Sequence, residues 1–290
     1  MRYRVFPSLT DYLVSDSASD YKGFLIDIDG TLKIGSRPIT TASDAVSYLN
    51  NSQYPYVLAT NDSSNSPATK HESLLRMGIP VQRDRIYSCA EAISQLVSKY
   101  RLQGEKVFVL GKLGTPCFAE NAGLITERDP NLAYKCSGVI VSELGYDWES
   151  GINAAVNLFL EKPTSFLISP NPDKYWRSHS GKGINIGAGS IVELIVRTLS
   201  DLRIKITPHY LGKPNPIFFR NAMNKLSCQA KCDIAAHEIL VIGDSLSSDI
   251  LGANRTGMKS ALVLTGATSL DALSSNENSM LDPCVVLEHI

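Results

Sequence analysis

Short runs of large apolar residues recur along the chain, and several of them end in clusters of polar ones. Phe24-Leu25-Ile26 leads into Asp27-Ile28-Asp29-Gly30-Thr31, Val57-Leu58-Ala59 into Thr60-Asn61-Asp62-Ser63-Ser64, and Ile239-Leu240-Val241-Ile242 into Gly243-Asp244-Ser245. Continuous apolar runs bounded by turn-forming residues predict strands buried on both faces. Between them the spacing becomes helical: Ala42, Ala45, Val46 and Leu49 share one face of a helix over 40–49, and a second helix over 67–77 has Pro67 at its start and Gly78 as its stop. A strand at 85–88 and a helix at 90–100 follow. Strands at 107–110, 138–141 and 165–168 and helices at 150–160 and 190–199 then repeat the pattern on a smaller scale. The last section returns to the first style, with strands at 208–211, 238–242, 260–264 and 285–287 and a helix at 217–226. Alternating strands and helices predict an α/β fold: a doubly wound, parallel-sheet, Rossmann-like core, residues 1–89 and 204–290, with an inserted α/β domain over 90–203.

In such a sheet every strand points its carboxyl end to the same edge, because the crossovers are right-handed. The predicted strands ending in Asp27 and Asp29, in Thr60 and Asn61, in Lys213 and in Asp244 would therefore deliver three carboxylates, a hydroxyl, an amide and an ammonium to one rim. Asp27 and Asp29, two apart on extended chain, project to the same side. Two carboxylates crowded in a half-buried mouth imply a divalent metal or an acid/base pair; a loop carrying two solvated aspartates is the competing reading.

Composition narrows the partners. The chain has 290 residues, 43% of them hydrophobic, which suits one large domain or two ordinary ones with a proper core. A net charge of −1 and no long basic run argue against nucleic acid as the main ligand. Six scattered cysteines form no C-x-x-C pair, so neither a disulfide framework nor a zinc site is indicated. Asp11, Asp16 and Asp20 interrupt the first twenty residues, which lack the apolar core of a secretory signal, and the longest apolar stretch, near Ile191, contains Glu193 and Arg197. A cytoplasmic protein with no membrane span is expected.

The rim inventory suits phosphoryl transfer. Mg²⁺ takes oxygen ligands, for which Asp27, Asp244 and one backbone carbonyl would suffice. Metal and Lys213 together would neutralise phosphate oxygens, with a hydrogen bond from Thr60. One aspartate can then act as nucleophile while the other moves the proton.

Asp27-Ile28-Asp29-Gly30-Thr31, Thr60-Asn61, Lys213 in Gly-Lys-Pro-Asn-Pro, and Gly243-Asp244 with Asp249 resemble, in order, the four motifs of the haloacid dehalogenase (HAD) superfamily. Thr60-Asn61-Asp62-Ser63-Ser64, Asn171-Pro172-Asp173 and Gly187-Ala188-Gly189-Ser190 are similar to its class IIA branch, the NagD and p-nitrophenyl phosphatase type, which carries an α/β cap where the insertion lies. The resemblance implies Asp27 as nucleophile and Asp29 as general acid/base. It implies Mg²⁺ on the side chains of Asp27 and Asp244 and the carbonyl of Asp29, with Thr60 and Asn61 on the phosphoryl group and Lys213 on its charge. Asp249 would orient Lys213 or a metal-bound water. The second aspartate separates phosphatases from dehalogenases in this superfamily. Asp62 departs from the Asn common in the branch and places an extra acid beside the phosphate site. The implied activity is Mg²⁺-dependent hydrolysis of a small phosphorylated metabolite through an aspartyl-phosphate. A phosphomutase of the same fold and a non-catalytic phospho-ligand sensor are the alternatives.

Within the insertion, Asn171, Asp173, Lys174, Trp176 and His179 follow a strand and could grip a leaving group; an ordinary turn at Pro170 and Pro172 explains them equally well. Gly187 and Gly189 either present amides to an anion or allow close packing. Caps of this branch often form homodimers, and no apolar stripe here selects that assembly.

Overall fold

The computed structural model describes residues 3–15, 21–177 and 183–290; Asp16, Asp20 and His179 lie outside them. The strands of the two large sheets are, in chain order, β1 (Val5–Phe6), β2 (Gly23–Ile26), β3 (Tyr56–Thr60), β4 (Ile86–Ser88), β5 (Lys106–Leu110), β6 (Ile125–Glu127), β7 (Gly138–Val141), β8 (Phe166–Ser169), β9 (His209–Tyr210), β10 (Ile239–Gly243), β11 (Lys259–Val263) and β12 (Val285–Leu287). One sheet runs β1-β12-β11-β10-β2-β3-β4 and the other β9-β8-β7-β5-β6. All their pairings are parallel.

The first sheet is doubly wound because its strands alternate faces. Phe24, Ile26 and Leu58 pack with Ala42, Ala45, Val46 and Leu49 of helix α1 (Ala42–Asn51) in one cluster. Leu25, Val57 and Val241 pack with the far-side helix Pro216–Ala230, through Phe218, Phe219, Ala222 and Leu226. Neighbouring residues of β2 thus serve opposite layers, as the two-residue period of extended chain requires. In the second sheet, Phe108, Val139 and Leu167 pack with the helices Asn153–Glu161 and Ala188–Asp201. Val107, Ile140 and Ile168 pack on the other side with Ile93–Tyr100 and Phe118.

Two placements differ from the sequence reading. The sequence places the strand at 208–211 in the core, with the return at residue 204. Instead β9 pairs with β8 in the second sheet, Ile168 opposite His209, so the chain crosses back only at Leu211 and Gly212. A two-residue strand carries no periodicity that could reveal its sheet. The sequence pattern also does not reveal β6 or the antiparallel pair of Tyr175–Arg177 with Ile184–Ile186, each segment being three residues long. Among the described residues no helix is long and apolar enough to cross a membrane.

β10, β2 and β3 are adjacent at the middle of the first sheet, with Ile26 in register with Ile242 on one side and Leu58 on the other. Ile26 is fully buried and directly precedes Asp27. Truncating Ile26→Ala leaves a cavity between two layers and should lower the unfolding free energy by about 2–5 kcal/mol. Urea unfolding should show a lower midpoint with an unchanged slope.

Candidate active site

Two neighbouring strand ends bring their acids together. Asp27 follows β2, its N–H donating to Ile242 of β10 at 2.8 Å. Asp244 follows β10, and Asp249 lies one turn later, in the helical stretch Leu246–Ile250 opened by the Ser245 side-chain cap. Each of Asp27, Asp244 and Asp249 offers a carboxylate oxygen, all within 4.8 Å of one another, and all three residues are buried.

Lys213 arrives from the other sheet, two residues beyond the crossing point. Its Nζ donates to Asp27 Oδ1 at 2.5 Å and to Asp249 Oδ1 at 2.7 Å. The Asn61 side chain fixes its backbone from both sides, Oδ1 accepting from Lys213 N at 2.8 Å and Nδ2 donating to Lys213 O at 3.1 Å. Burial opposes the ammonium's charge, yet Asp249 and Asp27 hold its pKa well above the usual lysine range. Burial pushes the Asp27 carboxyl well up against the pull of Lys213, with Asp249, Asp244 and Asp29 adding to the rise. Asp244 is pushed up to about 7 by burial and by Asp249, while the Ala267 N–H and Lys213 act the other way.

Were all three carboxylates ionised, the single ammonium would leave two negative charges unbalanced; the raised carboxyls express that conflict, and a divalent cation would remove it. The donor set fits a hard ion: every ligand atom is a carboxylate oxygen, with no nitrogen or sulfur in the cluster. Two loops pack directly on the Asp244 carboxylate. A Cβ on Gly30, whose φ is +89°, would come within 2.1 Å of Asp244 Oδ2, and one on Gly266 within 1.9 Å. Only glycine lets both loops close on that carboxylate.

The remaining sequence-derived candidates divide. Thr60 is buried, its Oγ1 accepting from Asp62 N at 3.0 Å, which leaves the hydroxyl proton free to donate. Asp29 stands apart, with a side chain 53% exposed and ion-paired to Lys33. The Asp62 carboxyl turns along its own loop: Oδ1 accepts from Ser64 N at 2.7 Å and Oγ at 2.6 Å, and Oδ2 lies 3.1 Å from Asn65 Nδ2 and 3.3 Å from Lys70 Nζ. Burial opposes that charge, but Lys70 and these hydrogen bonds hold the carboxyl below its ordinary value.

The second sheet reaches the same place through a chain of side chains. Glu143, just beyond β7, accepts from Asn171 Nδ2; Asn171 Oδ1 accepts from Asp173 N at 2.8 Å; and both Asp173 oxygens accept from Asn61 Nδ2 at 3.1 Å. Ser63 and Ser142 hydroxyls meet alongside at 2.8 Å. Asn171 and Asp173 thus adjoin the core site, whereas Lys174 pairs with Glu193 on the surface. A Cβ on Gly187 or Gly189 would lie 2.2 or 2.1 Å from the carbonyl oxygens of Asp173 and Pro172, so close packing accounts for those glycines. Glu143, Lys33 and Lys70 were not singled out from sequence. Glu143 was open to the strand-end rule that found Asp244, whereas a single lysine in a loop or helix carries no such signal.

Residues 24–125 match the family model of haloacid dehalogenase-like hydrolases, and residues 210–289 match a second, HAD-hydrolase-like model. An acid sugar phosphatase of Staphylococcus haemolyticus (strain JCSC1435) is 28% identical over 258 residues, 89% of this chain and 90% of its own. The p-nitrophenyl phosphatase of Archaeoglobus fulgidus superposes with a TM-score of 0.76 at 25% identity, covering 93% of this chain and 97% of that one. NagD of E. coli K-12 superposes with a TM-score of 0.74 at 26% identity, covering 93% and 96%.

Burial raises Asp173 to about 6, with Asn61 and Lys213 pulling it down and Asp249 and Asp29 pushing it up. A raised carboxyl binds its proton more tightly folded than unfolded, so its contribution to stability is present below the unfolded value of about 3.9 and is lost as pH rises toward 6. Asp173→Asn should therefore gain in stability over the wild type as pH climbs from 4 to about 6.5, read as a growing difference in melting temperature.

Proposed function

The chain belongs to the haloacid dehalogenase-like hydrolases, and from that membership we propose that it hydrolyses phosphomonoesters of small, hydroxyl-rich metabolites such as sugar phosphates, with Mg²⁺ as cofactor. The observation that carries this reading is the Lys213 ammonium held between Asp27 and Asp249 beside Asp244: a cation with a cluster of hard oxygen donors, suited to a metal and a phosphate together. The names of the phosphatase relatives support the substrate class.

In the proposed reaction an Asp27 carboxylate oxygen attacks phosphorus and the bond to the ester oxygen breaks. Asp29 gives its proton to the departing alkoxide, and Lys33 is placed to balance the carboxylate that remains. Asp29 then takes a proton from water, whose oxygen attacks the aspartyl-phosphate, and orthophosphate leaves with Asp27 restored. Lys213 holds Asp27 in place and balances charge on the phosphoryl oxygens, and the Thr60 hydroxyl donates to one of them. Asn61 acts through Lys213, whose main chain it holds. Asp27, Asp244 and the Asp29 carbonyl would hold Mg²⁺, with Asp249 close by, and the ion when bound supplies the positive charge that lets a phosphate dianion approach a carboxylate.

The test is phosphate release from a panel of sugar phosphates, nucleotides and p-nitrophenyl phosphate. Release should require Mg²⁺, stop with chelator, and vanish in Asp27→Asn. Asp29→Asn should lower kcat by about 10²–10⁴, and Lys213→Met by about 10²–10³. Release that persists in Asp27→Asn, or none from any ester with the wild type, would overturn the reading.

A further inference from the structure

Among the described residues, Lys70 is a buried cation that the reaction scheme leaves unused. It lies within the first turns of the helix Pro67–Arg76, capped by Ser66, where the exposed amides favour an acid over a base. It is also buried, to 7% exposure. A lysine in a place that local preference and burial both disfavour needs a specific counterpart.

The counterpart is the phosphate loop. Lys70 Nζ donates to Asp62 O at 2.8 Å and to Asn65 O, and lies 3.3 Å from Asp62 Oδ2, so its three N–H groups have three acceptors. Ser88 Oγ also donates to Asp62 O, at 2.8 Å, and Cys89 Sγ to Asn61 O, at 3.1 Å. The loop carrying Thr60 and Asn61 is thus gripped from behind.

Asp62 lies two positions after Thr60, and its carboxylate charge is close enough to be felt by a dianion there, inside one screening length. We propose that Lys70 is a positioning residue whose ammonium cancels the Asp62 charge, so that the loop keeps the hydrogen bonds of an aspartate without its repulsion of phosphate. The pair deepens the phosphatase reading and rests on it for the identity of the anion. The two residues form one electrostatic unit: removing either charge changes anion affinity, in opposite directions.

The test reads orthophosphate binding by calorimetry in the presence of Mg²⁺, together with steady-state kinetics on p-nitrophenyl phosphate. Lys70→Met should weaken orthophosphate about tenfold and raise KM to match, with kcat within about threefold of wild type, since Lys70 touches no reacting atom. Asp62→Asn, which leaves the ammonium unopposed, should tighten orthophosphate about threefold. The Asp62→Asn/Lys70→Met double variant should return to within about threefold of wild type. Equal affinities in both single variants and wild type, or a double variant as weak as Lys70→Met, would overturn the proposal. Should Lys70→Met fail to fold, Asp62→Asn still decides, because tighter binding supports the pairing and unchanged or weaker binding refutes it. A wild type that binds orthophosphate with this ranking but releases none from any ester would refute the phosphatase reading and leave the pair standing.

Discussion

The buried ammonium of Lys213 joins the two halves of the molecule. Its backbone is the first stretch after the chain leaves β9 of the second sheet; its side chain ends between Asp27 and Asp249 of the first. Removing one member of a buried charge group leaves the others uncompensated, at a cost of about 3–5 kcal/mol, so lysine and acids must arrive together. Asn61, at the end of β3, enforces that arrival by bonding both polar groups of the Lys213 main chain. Strand order does the rest: β10, β2 and β3 lie side by side, and their carboxyl ends meet where a parallel sheet binds ligands.

Much of this was legible in the sequence because buried parallel strands are written as continuous apolar runs. Phe24-Leu25-Ile26 and Ile239-Leu240-Val241-Ile242 could hardly be anything else, and the polar residues that follow them fall on one edge once the sheet is assumed parallel. Less legible was anything that depends on contact between distant segments. His209–Tyr210 is too short to declare its sheet. Asn61 was expected on the phosphoryl group; its side chain is occupied with Lys213 and Asp173, a use no spacing encodes. Asp62 was read as an acid beside the phosphate site because its partner, Lys70, lies on the next helix, and nothing in eight residues of separation announces a pair.

The insertion is more than a cover. Glu143, Asn171 and Asp173 form a hydrogen-bonded line from the end of β7 to Asn61, so the residue that seats Lys213 is itself held from the second sheet. Burial and the neighbouring Asp62 and Asp173 push Glu143 well above the ordinary carboxyl range, as befits a group whose surroundings are already rich in acids. A change at Asn171 or Asp173 is therefore transmitted through Asn61 to Lys213.

The crossing at Leu211 and Gly212 bears on how this architecture can be recombined. Because β9 completes the second sheet immediately before Lys213, an insertion excised at its apparent sequence boundary near residue 204 would leave the lysine's lead-in strand without a neighbour to pair with. A chimaera that borrows a different second sheet must import its own final strand and rejoin after Leu211, at the doorstep of the loop that carries Lys213. Exchange of the second sheet is thereby tied to the short segment between Leu211 and Lys213, whose far end Asn61 holds from the first sheet.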